Sequence, residues 1–271
     1  MTPSNIHSTK LRNAKRPRKP KEKPALPRML KTFLWIIVVV GVFLYFFQNP
    51  TTGGQKTAPN ISPNLTPSPL PKNRIQLTFD GREYIFVYEK ISGSTLTLIP
   101  NFTEKRSAAA IAEENLCRIA SSGGFYTKED KPLGLFKASG KIFGQKANNS
   151  SLLTGFLYVT DSGEIYIDSE ADDEHPTILQ SGPLFTSNKP YPTRTDEYTR
   201  RNLIIEDLNG QEYIATLFGA ENMYDGPKLS DLPSILFSIQ SPFRVQRALN
   251  LDGGSASFFM VANNFTASEI V

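Results

Sequence analysis

One cysteine and two histidines stand among 271 residues, and that scarcity excludes several chemistries before any motif is read. Cys117 has no partner for an intrachain disulfide, and a Cys-ligated zinc site would need more thiols than the chain holds. His7 and His175 are too few for a His-rich catalytic metal centre. Apolar residues are also sparse at 39%, while prolines number 20, so part of the chain is not packed into a core. No internal repeat of solenoid period is visible.

Positive charge is missing from most of the chain despite a net of +4. Residues 1–31 hold ten Lys or Arg against the single acid Glu22, a net of +9, and subtracting that from the whole leaves −5 for everything after residue 31. A nucleic-acid-binding domain would carry the positive field itself, so nucleic acid is not an expected partner.

Immediately after the cations comes Phe33 to Phe47, FLWIIVVVGVFLYFF, fifteen residues without a charge. A helix of that length covers roughly 22 Å, and the flanking residues Leu30 to Thr32 and Gln48 to Asn49 bring it to the length of a hydrocarbon core of about 30 Å. No small-residue cleavage pattern follows Phe47. The segment therefore reads as an uncleaved signal anchor with the cations on the cytoplasmic side. Residues 49–73 follow with six prolines, among them Pro50 and Pro71, and read as an extended stalk. The expected organisation is a basic cytoplasmic tail at 1–31, a transmembrane anchor at 32–48, a Pro-rich stalk at 49–73 and one extracytoplasmic domain at 74–271.

Within that domain, alternation from Ile75 to Tyr88 around Asp80-Gly81 predicts a hairpin. Thr95 to Ile99, Leu116 to Ala120 and Thr177 to Leu179 read as strands, as does Phe258 to Val261. Further hairpins are expected around Asp161-Ser162-Gly163 and Asn209-Gly210. Ser107 to Glu114 reads as a short helix capped by Ser107, and Leu229 to Ile239 as a second with Pro233 in its first turn. The expected fold class is α+β, with mixed or mostly antiparallel sheet and two or three helices, preceded by one transmembrane helix.

Four segments place glycine beside polar groups where strands should end. Ser122-Gly123-Gly124-Phe125 could turn backbone amides toward an anion, although a plain turn uses the same letters. Gln180-Ser181-Gly182-Pro183 offers neutral donors and acceptors suited to sugar hydroxyls, and is equally an ordinary bend. Arg200-Arg201-Asn202 supplies a guanidinium fork for phosphate or carboxylate. Leu251-Asp252-Gly253-Gly254-Ser255 delivers one carboxylate to a double glycine between two apolar strands, where it needs a partner or a task.

In that order the four segments resemble the phosphodiester glycosidase family, whose best-known member is the lysosomal uncovering enzyme and which has many bacterial relatives. The likeness runs from about Ser107 to Val261 and includes Pro132-Leu133-Gly134-Leu135-Phe136. Ser122 stands where the family usually has Asn, and Leu203 and Ile205 replace glycines that follow the Arg-Asn pair in bacterial members.

The resemblance implies hydrolysis between an anomeric carbon and a phosphodiester oxygen, in envelope glycan or exopolysaccharide metabolism. Such a reaction needs a carboxylate near the sugar and a cation near the departing phosphate. Asp252 is then expected as nucleophile or electrostatic stabiliser and Arg201 as phosphate clamp. The amides of Gly123, Gly124, Gly253 and Gly254 would donate to an anion or hydroxyl, Gln180, Ser181, Asn202 and Ser255 would orient the sugar, and Ser122 and Gly182 would complete the binding segments. No cofactor is identified, and a divalent cation is left open. The partners expected are a membrane, through residues 32–48, and a phosphorylated glycan. The alternative is a non-catalytic surface module that binds phosphoglycopolymer, favoured by the residues at 122, 203 and 205. A serine hydrolase would need His175, which sits in an acidic loop and reads as solvated. Cys117 reads as a packed side chain in an apolar strand.

Overall fold

The computed structural model describes residues 72–262 and 265–267, save 171, 173, 194–195 and 255–256. The predicted tail, the anchor and the stalk up to residue 71 lie outside the described residues, as does Ser255. No helix among the described residues is long and apolar enough to cross a membrane.

The first hairpin forms as its alternation predicts. Strand β1 (Arg74–Phe79) pairs antiparallel with β2 (Arg82–Lys90). Asp80 and Gly81 both take positive φ, 49° and 73°, the backbone that a two-residue turn matching strand twist requires. Helix α1 (Ala108–Glu114) begins where Ser107 Oγ accepts from the Ala110 amide at 3.2 Å. Short strands follow: β3 (Ile119–Ser121), β4 (Phe136–Ala138), β5 (Lys141–Gly144), β6 (Gly155–Val159), β7 (Ile165–Asp168), β8 (Thr177–Ser181) and β9 (Leu184–Phe185). Then come β10 (Arg201–Asp207), β11 (Glu212–Gly219), helix α2 (Leu232–Ser238), β12 (Val245–Asn250), β13 (Phe259–Val261) and β14 (Phe265–Ala267).

Every strand pairing is antiparallel. One sheet runs β1-β2-β11-β10-β12-β9, a second β5-β4-β8-β6-β7, and a third β14-β13-β3. The central strands of the six-stranded sheet, β10 and β11, are buried on both faces, while the edge strand β1 leaves Arg74, Gln76 and Thr78 exposed. Ile204 and Leu249 pack toward Leu157, Ile167 and Leu179 of the five-stranded sheet. Leu203, Ile205 and Ala248, one residue out of phase, pack with Leu232, Ile235 and Leu236 of α2. Period-two alternation thus sends successive residues of one strand into two cores.

The α+β expectation is overturned. The described helices are two, each of seven residues, and the domain is mostly β. The two segments read as helices hold only two turns apiece, and the remaining chain is short strands between turns. Leu203 and Ile205 owe their size to the core beneath α2, where both are fully buried.

Two smaller expectations also fail. Residues 95–99 form no strand; Leu96 and Leu98 pack on the core instead, and the segment borders a cavity. After α1, Leu116 takes a positive φ of 51° and is 90% exposed. The chain must reverse there, so the strand starts only at Ile119, and Cys117 is left half-buried ahead of it rather than packed within.

Candidate active site

Five chain segments meet where strands end. Ser122 follows β3, Gly182 follows β8, Arg201 opens β10, Leu251 follows β12 and Phe258 precedes β13. Backbone bonds stitch them together. The Asp252 amide donates to Gly123 O at 2.7 Å, Gly182 to Asn250 O at 2.9 Å, Leu251 to Asn202 O at 2.8 Å, and Gly254 to Arg200 O at 2.8 Å. Ser122 joins in twice, its amide donating to Phe258 O at 2.9 Å and its Oγ accepting from the Phe258 amide at 2.8 Å. The serine that stands where an Asn is usual therefore anchors β3 to β13.

Two glycines make the closest approach possible. A Cβ on Gly253 would collide with the carbonyl oxygen of Arg200, and Gly254 holds φ at +84° beside Thr199. Only residues without a side chain let the Asp252 loop lie against the start of β10.

Asp252 is half-buried. Burial raises its carboxyl to about 6, a rise moderated by the Gly253 amide that hydrogen-bonds the carboxylate. It borders a cavity of about 1100 Å³ together with Ser122, Gly123 and Gly124. Neither Gly123 nor Gly124 spends its amide on an acceptor among the described residues. Asp130 is the other carboxylate residue lining this cavity, and Lys105 holds it at 2.5 Å. Arg106 and Arg118 add positive charge to the wall, Arg106 being paired with Glu104 and Glu114.

Arg201 borders a different cavity, of about 990 Å³, with Asn250, Tyr191 and Glu197. Its Nε donates to Pro227 O at 3.0 Å and one Nη to Glu197 O at 2.8 Å. Burial lowers this guanidinium to about 10, partly offset by the negative charges of Asp196 and Glu197. One wall separates the two spaces: Gly123, Gly124, Leu251 and Asp252 border the first, and their chain neighbours Phe125 and Asn250 border the second.

The remaining expected residues build the frame. Gln180 spends its whole amide: Oε1 accepts from Leu135 N at 3.1 Å and Ala147 N at 2.8 Å, and Nε2 donates to Ala147 O at 2.9 Å and Leu153 O at 3.1 Å. Ser181 Oγ donates to Asn250 O at 2.8 Å. Both are buried, and they lie inside β8 rather than in a loop. Asn202, also buried, supports the backbone of Asp252 and Phe258 through Nδ2 at 3.3 and 3.1 Å. Arg200 is buried as well, its Nε on Ser257 Oγ at 3.0 Å and one Nη on Ser257 O.

Asn250 was missed as a functional candidate although it sits two residues before Asp252. A polar residue closing an apolar strand was the available signal. Tyr191 and Glu197 carry none, since their loop has no periodicity. His175 stacks on Tyr158 with 4.8 Å between ring centroids and has Asp172 at 3.2 Å. Among the described residues no three His, Cys, Asp or Glu side chains gather as metal ligands would.

Residues 115–269 match the protein family described as phosphodiester glycosidase. No curated protein matches. Among solved structures, the chain is similar to the catalytic domain of zebrafish N-acetylglucosamine-1-phosphodiester alpha-N-acetylglucosaminidase auto-inhibited by its pro-peptide, at 15% identity and a TM-score of 0.48, covering 72% of this chain and 73% of that one. It is also similar to a hypothetical protein from Synechocystis at 12% identity and a TM-score of 0.45, covering 72% of this chain and 58% of that one.

Proposed function

This chain belongs to the phosphodiester glycosidase family, and from that premise we propose that it hydrolyses a sugar-1-phosphodiester bond, with an envelope glycan or exopolysaccharide as the source of the substrate. The observation that carries the reading is Asp252, a half-buried carboxylate raised to about 6, facing a cavity beside the unspent amides of Gly123 and Gly124. Cleavage builds positive charge on the anomeric carbon, which a poorly solvated carboxylate stabilises far better than one in bulk water. The departing phosphodiester is already a stable anion, so the step makes little demand on a general acid.

In this reading Asp252, ionised, stands against the sugar as nucleophile or electrostatic stabiliser. The Gly123 and Gly124 amides donate to substrate oxygen. A phosphodiester lying across the edge of the wall presents its sugar to Asp252 and its phosphate to Arg201. Placement outside the cytoplasmic membrane is a further proposal, drawn from the ten cations that precede Phe33 to Phe47. The test of the reaction is turnover of a sugar-1-phosphodiester by the full chain and by Asp252→Asn, with unchanged turnover in the variant ending the reading.

One observation favours a second reading, a non-catalytic module that binds phosphoglycopolymer. Asp252 and Arg201 border separate cavities. Tight binding of a phosphoglycan fragment, with no sugar or phosphate released on long incubation, would select it.

A further inference from the structure

Asn202 of β10 lies directly opposite Thr216 of β11, so their side chains leave the same face of the sheet with Cβ atoms about 4.5–5.5 Å apart. Neighbours two residues along fix which face it is: Ile204 and Ile214 both enter the core shared with the five-stranded sheet. Asn202 and Thr216 are each 0% exposed. Among the described residues four side-chain polar atoms are buried without a hydrogen-bond partner, and two of them, Asn202 Oδ1 and Thr216 Oγ, belong to this one pair.

The two atoms are complementary. Oδ1 can only accept, while the hydroxyl can donate as well as accept. Around Thr216 the same face is apolar, with Ile214 and Phe218 along β11 and Val87 opposite on β2. A valine would fill that place with the same shape and no desolvated hydroxyl, so the hydroxyl calls for a partner. Oδ1 stands across the strand pair, and a single water spans the gap that neither side chain closes, donating to Oδ1 and accepting from the hydroxyl.

The other end of the same amide carries the consequence. Asn202 Nδ2 donates to Asp252 O at 3.3 Å and to Phe258 O at 3.1 Å, the two ends of the loop that holds Gly253 and Gly254. An amide whose oxygen is untied can rotate about χ2 and release those carbonyls. One tied at Oδ1 cannot turn without breaking a second bond. We infer that Thr216 is a positioning residue for Asp252, its hydroxyl holding Asn202 through one internal water so that the Asn202 amide keeps the Asp252 loop closed on β10. Its bearing on catalysis rests on the phosphodiester reading above, and the closure of the loop does not.

The test follows hydrogen exchange of the full chain, read by mass spectrometry, in the unsubstituted protein, Thr216→Val and Thr216→Ser. The reporters are the amides of Asp252 and Gly254, which donate to Gly123 O and Arg200 O, and the β6–β7 hairpin of the other sheet is the control. Thr216→Val keeps the volume and removes the hydroxyl. It is expected to speed exchange at both reporters about tenfold while the control stays unmoved, as the loss of one buried hydrogen-bonded link would do. Thr216→Ser keeps the hydroxyl and should restore most of the protection. In turnover, Thr216→Val should lower kcat about tenfold with KM unchanged, and Thr216→Ser should recover it. A crystal structure should place an ordered water within hydrogen-bonding distance of Oδ1 and Oγ. Unchanged exchange in Thr216→Val, equal loosening in the two variants, or a dry gap between the two atoms would overturn the assignment. Exchange needs no substrate, which keeps the two readings separable. The expected exchange pattern with no hydrolysis of any sugar-1-phosphodiester would sink the proposed reaction and leave the positioning role standing; turnover with no difference in exchange would do the reverse.

Discussion

The backbone amide of Asp252 donates to the carbonyl of Gly123 at 2.7 Å, joining two loops far apart in the sequence. The bond puts the double glycine after β3 beside the carboxylate after β12. It also fixes the wall between the two cavities, because each loop contributes residues to both sides.

The first prediction concerns the protonation state that works. If ionised Asp252 stabilises the developing charge, kcat/KM for a sugar-1-phosphodiester should rise with pH through about 6 and then level, following the free protein's carboxyl. Asp252→Asn should lower kcat/KM by about a thousandfold and abolish that limb. A flat profile from pH 5 to 8, measured alongside the variant, would separate Asp252 from the chemistry.

The same carboxyl makes a stability prediction of opposite sign. Its folded value is raised from 3.8 to about 6, so folding favours the protonated form. That contribution is fully present below about pH 4 and is lost as pH rises through 6. Asp252→Asn removes the charge penalty and should melt higher than the unsubstituted protein at pH 8, by a free-energy difference of about 2–3 kcal/mol. The gap should close by pH 4. A melting series over that range, showing the variant less stable throughout, would contradict the burial argument.

Gly253 tests the packing of the loop. Gly253→Ala must push the new methyl into the Arg200 carbonyl, a contact with rigid backbone that costs about 2–4 kcal/mol or displaces Asp252. Gly81→Ala is the control. Its turn needs a positive φ, which Gly253 does not, but nothing lies within 4 Å of the added carbon, so the cost there is only about 1 kcal/mol. Denaturant unfolding should rank the two in that order, and turnover should fall only in the first.

Much of this arrangement was legible before the fold was seen, for identifiable reasons. The Asp80-Gly81 turn, the Ser107 cap and the hairpins around Gly163 and Gly210 are written in local chemistry, and they form. Helix content was overread because Leu229 to Ile239 carries an apolar pattern that α2 satisfies for seven residues before the chain leaves it at Ile239. For Thr95 to Ile99, alternation was not enough, since a strand also needs an edge to pair with. At the site, local sequence indicated that Gly123, Asp252 and Arg201 sit at strand ends. It did not show which cavity each faces, because that depends on the register of β10 against β12, a long-range property.

Gln180 shows most clearly how a sugar-binding look can belong to the frame, and it supports the last prediction. Its side chain makes four hydrogen bonds, two accepted and two donated, that tie the end of β8 to Leu135, Ala147 and Leu153. It borders neither cavity. Gln180→Met keeps the volume but leaves buried backbone amides and carbonyls unmade, which should cost about 3 kcal/mol. The fraction that folds should keep the KM of the unsubstituted protein, since no substrate contact is lost. Chemical denaturation and steady-state kinetics on the same preparation check both halves. A raised KM with unchanged stability would return Gln180 to the substrate.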